Sequence, residues 1–244
     1  MSDLEFKNTV TLITGASKGI GLATAQLIHA KGGHVIGLAR QKPDVFPGEF
    51  ISVDLIDEYE TGEVLASIMK TYEIDHLVNN AGKTTSSLLE QTTSREFNDI
   101  IQINMRAPMQ ILQACLPGMT RKGYGRVVNI SSRAALGMLK RTAYAGAKSG
   151  IVGMTKTWAL ELGPRGITVN AIAPGPIATE LYKKNNPMTP EQAAQVVARI
   201  PVRRLGTPED VARSITFFLS PDAGFITGQV LYTCGGLSVG AASS

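Results

Sequence analysis

The 244-residue chain holds two cysteines, Cys115 and Cys234, and neither belongs to a C-x-x-C pair. That excludes a disulfide framework and a cysteine-built structural zinc cluster, and it suits a reducing cytoplasm. No apolar run approaches the ~18 residues that a spanning helix needs. Residues 1–7 are polar and acidic, so neither a membrane partner nor a secretory signal is expected. The three histidines, His29, His34 and His76, match no ligand spacing, and no metal site is expected. Aromatic residues make up only 6%, and the 24 basic side chains are scattered among 20 acidic ones. Nucleic-acid binding would want a basic stripe with aromatic platforms, so no nucleic-acid partner is expected. No Pro/Ser-rich linker divides the chain and no fixed period repeats.

What is abundant is glycine, 25 residues, within a 43% hydrophobic composition. Short apolar runs at residues 9–14, 34–39, 50–53, 76–79, 126–130, 167–172 and 229–232 read as strands. Helical spacing marks 19–31, a helix around Leu65, Ile68 and Met69, then 104–120, 142–162 and 208–219. Apolar strands alternating with helices predict an α/β fold: a doubly wound, seven-stranded parallel sheet with helices on both faces. One domain over 1–244 is expected. The Pro-, Asn- and Lys-rich stretch at about 176–201 reads as a substrate lid. Only about ten residues join the second and third strands, fewer than a parallel crossover usually needs.

The first strand runs into Thr14-Gly15-Ala16-Ser17-Lys18-Gly19-Ile20-Gly21, and a helix follows at once. Glycines at such a turn let a pyrophosphate reach the backbone N–H groups and the positive end of the helix dipole. Further along stand Asp54 after the third strand, Asn79-Asn80-Ala81-Gly82, Asn104, a serine pair before Tyr144-x-x-x-Lys148, and Pro174-Gly175. With these ordered motifs the chain resembles a short-chain dehydrogenase/reductase over essentially its full length.

The resemblance implies a Rossmann fold that binds a nicotinamide dinucleotide. Implied cofactor contacts are Gly15, Ser17, Lys18, Gly19, Ile20, Gly21, Arg40, Asp54, Leu55, Asn80, Ala81, Gly82, Tyr144, Lys148, Pro174, Gly175, Ile177 and Thr179. At the end of the second strand an acidic residue would accept from a ribose 2′-OH, but Arg40 stands there. A guanidinium suits a 2′-phosphate, and Lys18 would lie on the same side. NADP(H) is therefore the expected cofactor.

Tyr144 and Lys148, four apart on a helix, share one face. A nearby ammonium favours the phenolate, which makes Tyr144 the expected general acid or base. A hydroxyl must polarise the substrate oxygen. The Ser-to-Tyr spacing usual in the family selects Ser131, whereas alignment of the strand selects Ser132, and the strand is the stiffer guide. The resemblance gives Asn104, at the expected start of a long helix, a water that links Lys148 to solvent. Helix capping is its plainer role. The catalytic set is thus Asn104, Ser132, Tyr144 and Lys148.

The expected activity is reduction of a ketone to a secondary alcohol, or the reverse. Residues 201–206 (PVRRLG) and 226–228 (ITG) are similar to those of 3-oxoacyl-carrier-protein reductases. An acyl thioester is one expected substrate; a small or cyclic ketone or alcohol is the other. Arg133, Lys140 and Arg141 stand near the expected mouth of the site, where they could favour an anionic or thioester-linked substrate; solvated loop cations are the plainer reading. The resemblance further implies a cytoplasmic homotetramer. A dinucleotide sensor without turnover would be expected to lack Tyr144 or Lys148.

Overall fold

The computed structural model describes residues 4–239. Seven strands form one parallel sheet: β1 Val10–Thr14, β2 His34–Ala39, β3 Glu49–Ser52, β4 His76–Asn79, β5 Gly125–Ile130, β6 Ile167–Pro174 and β7 Val230–Thr233. Their spatial order is β3-β2-β1-β4-β5-β6-β7, and every neighbouring pair is parallel. The order reverses between β1 and β4, the switch point outside which ligands bind in doubly wound sheets.

The helices are α1 Gly19–Ala30, α2 Glu58–Thr71, α3 Ser94–Ile101, α4 Ala107–Lys122, α5 Thr142–Leu162, α6 Glu180–Asn185, α7 Pro190–Arg199 and α8 Pro208–Leu219. Adjacent strand residues point to opposite faces, so the apolar runs feed two cores. Leu12, Leu77 and Val127 pack with Leu65, Ile68, Ile111, Cys115 and Met119 of α2 and α4. Ile13, Val78 and Val128 pack with Ala25 and Ile28 of α1 and Val211, Ile215 and Phe218 of α8. Burial on both faces is why these strands are continuously apolar rather than alternating.

The strand assignments from sequence hold to within one or two residues at each end. Two regions differ. The long helix expected to begin at Asn104 is preceded by α3, and a π-helical turn at Gln102–Arg106 joins α3 to α4. Asn104 is therefore inside a nearly continuous helical run and caps nothing. The expected lid contains two helices, α6 and α7, each started by a threonine, Thr179 or Thr189, whose side chain accepts a backbone N–H of the first turn.

The short β2–β3 connection lacks a helix, as its length predicts. The ring of Phe46 covers the sheet instead: a Cβ on Gly37 of β2 would lie 2.5 Å from it. Phe46 also meets Phe50 edge-on at 5.2 Å. Among the described residues no helix is long and apolar enough to cross a membrane, and no cluster of potential ligands could hold a metal.

Candidate functional site

The site is built at the C-terminal ends of β1, β4, β5 and β6. The turn after β1 is held open by close backbone approaches. A Cβ on Gly21 would lie 2.3 Å from the Gly15 carbonyl oxygen, and Gly15 itself takes φ +63°, a left-handed conformation that glycine adopts without penalty. The N-terminus of α1 carries no side-chain cap at Lys18 and no acidic residue in its first turn. Its N–H groups are thus available to an anion, as a pyrophosphate site requires. Ser17 lies in this turn, and Ile20 packs partly into the core beneath it.

The Asn80 amide has a structural job beside the backbone contact with the cofactor that is expected of this segment. It donates to the carbonyls of Thr14 at 2.9 Å and Gly15 at 3.1 Å, while the Thr14 hydroxyl accepts from the N–H groups of Asn80 and Ala81. The side chain therefore staples β4 to the glycine turn. Thr14 is the residue that sequence reasoning missed here, because its role depends on a strand far off in sequence.

At the rim, Arg40 is exposed and lines a recess with Ser52, Val53, Asp54 and Glu60. Glu60 Oε2 accepts from the Asp54 N–H at 3.3 Å, and Asp54 Oδ1 accepts from the Ile56 N–H at 3.1 Å. Leu55 is buried. Glu60 carried no signal in the sequence. Lys18 pairs with Glu180 of the lid at 3.1 Å, both well exposed.

After β6, Gly175 lies so close to β7 that a Cβ would meet Cys234 Cα at 2.8 Å. The Ile177 side chain packs largely into the core. Thr179 caps α6, and its methyl would be 3.3 Å from a Cβ on Gly19. That brings the start of the lid against the phosphate turn. A separate cavity of about 340 Å³ lies beyond this point, between Ile177, Ile200, Val202, Leu231 and Cys234, and contains none of the candidate catalytic side chains.

The catalytic candidates converge at the junction of β5 and α5. Lys148 Nζ donates to the Ile130 carbonyl at 2.7 Å and lies 5.7 Å from the centroid of the Tyr144 ring. The two serines diverge. Ser131 is buried and donates to the Lys148 carbonyl at 2.7 Å. Ser132 accepts from the Ala134 N–H at 3.1 Å, and its hydroxyl acts on the Tyr144 phenol, drawing its pKa down. Adjacent strand residues face opposite ways, so only one of the pair can point at Tyr144.

Burial raises the Tyr144 phenol above its ordinary range, opposed by the Ser132 hydroxyl and the positive charge of Arg141. Burial also lowers the Lys148 ammonium to about 7. Burial thus opposes the charged forms of both groups, against the neighbouring positive charge that would favour the phenolate.

Asn104 is brought to the same place by the π-helical turn, a distortion common at functional sites. Its Nδ2 donates to the carbonyls of Lys83 and Ile100, both at 2.9 Å. Its Oδ1 is buried without a partner among the described residues. A Cβ on Gly82 would lie 2.8 Å from that oxygen and 3.5 Å from Lys148 Nζ. Glycine is needed there to leave the space open, and an unfilled buried acceptor beside it suits a bound water or hydroxyl.

Arg141 corrects another expectation. It is only 8% exposed, so it is not a solvated loop cation; Arg133 is half-buried, and Lys140 is exposed. Of the remaining candidates set aside in the sequence, Cys115 is core and its thiol is pushed up to about 12 by burial. His76 is fully buried between Thr11 and Tyr124.

A family model described as Enoyl-(Acyl carrier protein) reductase matches residues 15–238. The 3-oxoacyl-carrier-protein reductase of Vibrio cholerae is 35% identical, over 96% of this chain and 99% of its own. That of Thermotoga maritima is 36% identical, over 97% of this chain and 100% of its own. Among solved structures, the aldohexose dehydrogenase of Thermoplasma acidophilum is 33% identical with a TM-score of 0.92, covering 100% of this chain and 98% of that one. A Beutenbergia cavernae protein described as an NAD(P)-dependent gluconate 5-dehydrogenase, with bound NADP, is 30% identical with a TM-score of 0.91, covering 98% of this chain and 100% of that one. The chain belongs to the short-chain dehydrogenase/reductase family of oxidoreductases.

Proposed function

We propose that the chain is an NADP(H)-dependent carbonyl reductase that converts a ketone to a secondary alcohol, or runs the reverse reaction, with Tyr144 as the acid/base. The observation that carries this reading is the meeting of Ser132, Tyr144, Lys148 and the unpartnered Asn104 Oδ1 at the end of β5.

The cofactor would be held by the open turn Gly15–Gly21, by Asp54 and Leu55 at the adenine end, by the backbone of Asn80–Gly82, and by Pro174, Gly175, Ile177 and Thr179. Arg40 and Lys18 would face the 2′-phosphate. The uncapped start of α1 supports the pyrophosphate site. When bound, the cofactor supplies or accepts the hydride. Ser132 and Tyr144 would hold the carbonyl oxygen by hydrogen bonds. In reduction, the Tyr144 O–H bond breaks and its proton goes to the substrate oxygen as the carbon becomes tetrahedral. Lys148, beside the phenol and hydrogen-bonded to Ile130, would hold the nicotinamide ribose and return a proton through water seated at Asn104.

Similarity to the 3-oxoacyl-carrier-protein reductases at 34–37% identity favours a 3-oxoacyl thioester. A second reading, a small polyol or cyclic alcohol, is favoured by the 33% identity to the aldohexose dehydrogenase. Carrier docking would want basic residues by the site. Arg165 is exposed, but Gly123 takes φ +59° at the C-terminus of α4, where the left-handed turn explains a glycine in place of a cation. Turnover of NADPH with acetoacetyl thioester, compared with a panel of free ketones and sugars, separates the two readings.

We read the assembly as a cytoplasmic homotetramer of single-domain subunits. Exposed Leu160 on α5, Phe217 on α8 and Phe225 in the loop before β7 supply apolar surface for subunit contacts. Sedimentation as a stable monomer would contradict this.

A further inference from the structure

Arg141 stands immediately before α5, one turn ahead of Tyr144. It is 8% exposed, yet no carboxylate lies within salt-bridge distance of it among the described residues. A buried cation without a counter-ion is costly and persists only where its hydrogen bonds are filled. Here three of its hydrogen bonds go to neutral oxygens on two other segments. Nη1 donates to the Thr84 hydroxyl at 3.0 Å and to the Thr85 carbonyl, both in the loop after β4. Nη2 donates to the Asn185 carbonyl, at the C-terminal end of α6 in the lid, at 3.4 Å. The backbone supports the same junction, since the Ser87 N–H donates to the Lys140 carbonyl at 3.0 Å.

We propose that Arg141 is a positioning residue for the reaction: its guanidinium ties the lid and the loop after β4 to the start of the catalytic helix, and it keeps a positive charge beside Tyr144. The proposal rests on the reading of Tyr144 as the acid/base. Two properties of arginine are used separately. The planar fork spans acceptors in different directions, which a lysine ammonium on a single stem cannot do. The charge acts on the phenol through space, and the direction of that effect opposes burial.

The other groups around Tyr144 do not duplicate this charge. Lys148 lies on the same helix and is disfavoured as a cation by burial. Ser132, at the end of β5, is neutral. Behind the loop, Lys83 is paired with Asp99 at 2.8 Å, and Glu96 accepts from the Ser87 hydroxyl at 2.7 Å. On the lid side, the charge of Arg133 acts on Tyr182.

The test compares Arg141→Lys with Arg141→Gln, reading kcat and KM for alcohol oxidation against pH and the rate of tryptic nicking at Lys183 and Lys184 in the lid. Arg141→Lys keeps the charge and loses the fork. KM should rise about tenfold and nicking should quicken, while the acid limb of kcat stays in place. Arg141→Gln loses both, so the acid limb should also move up by about half a pH unit or more. Unchanged KM and nicking in Arg141→Lys would overturn the tether, and this variant reads it even if Arg141→Gln fails to fold. Equal loss of kcat in both variants, with neither limb nor nicking moved, would reduce Arg141 to a merely structural residue and overturn the proposal. Wild-type activity in Tyr144→Phe would instead overturn the acid/base reading, while the nicking comparison would still decide the tether.

Discussion

Ser131 donates its hydroxyl to the main-chain carbonyl of Lys148 at 2.7 Å, and in doing so it turns away from Tyr144. The two serines at the end of β5 thus have different work. Ser131→Ala should cost about 1 kcal/mol of stability from the lost buried hydrogen bond and leave kcat within a few-fold. Ser132→Ala should lower kcat by roughly a hundredfold or more with little change in thermal stability. Steady-state kinetics and melting curves on both variants check the pair.

The phosphate turn has no room for a side chain. In Gly21→Ala the new Cβ would meet the Gly15 carbonyl and the Asn80 amide, so the turn must shift. Binding of NADPH, followed by fluorescence titration, should weaken by about tenfold or more. Gly146→Ala, with nothing within 4 Å of its Cβ, serves as the control and should bind normally.

If Lys18 and Arg40 face the 2′-phosphate as proposed, cofactor choice should depend on these two exposed cations. The Lys18–Glu180 pair is solvent-exposed on both sides, and such a pair holds its lysine weakly, leaving it free to turn toward a phosphate. Arg40→Asp combined with Lys18→Ala should reverse the NADPH-to-NADH preference in kcat/KM, with the introduced carboxylate accepting from a ribose hydroxyl. An unchanged ratio would refute the NADP(H) assignment.

Acid stability should report His76. Burial lowers its imidazole from 6.5 to about 4, so the unfolded chain takes up a proton over that interval while the folded protein does not. Stability is therefore full above pH 6.5 and is lost as pH falls toward 4, by an amount of order 3 kcal/mol. His76→Gln should show a smaller loss of melting temperature between pH 7.5 and 5 than the wild type. An equal loss in both would contradict this assignment.

The sheet and the motif positions were legible because their signals are local. Apolar runs set the strands, and the glycine turn, Tyr144 and Lys148 took their meaning from the ordered motifs that carry the family resemblance. The choice of Ser132 over Ser131 rested on aligning the stiff strand rather than on counting loop residues. What escaped notice depends on chain segments far apart in sequence. Thr14 and Asn80 meet across β1 and β4, Glu60 reaches Asp54 from α2, and Arg141 gathers the lid and the loop after β4. The π-helical turn at Asn104 was hidden for another reason: one extra residue in a helical turn leaves the apolar pattern on either side intact. The desolvation of Tyr144 and Lys148 left no signal, because adjacency is visible in sequence and burial is not.

The acid/base assignment of Tyr144 is tested most directly by the kcat of Tyr144→Phe in NADPH-dependent ketone reduction, with NADPH affinity measured on the same sample. The variant loses only a hydroxyl from a ring carried on α5, so it should fold and bind NADPH as the wild type does. Its kcat should fall by roughly a hundredfold to ten-thousandfold, the contribution expected of a positioned proton donor. A variant that binds NADPH normally and turns over at the wild-type rate would contradict the account.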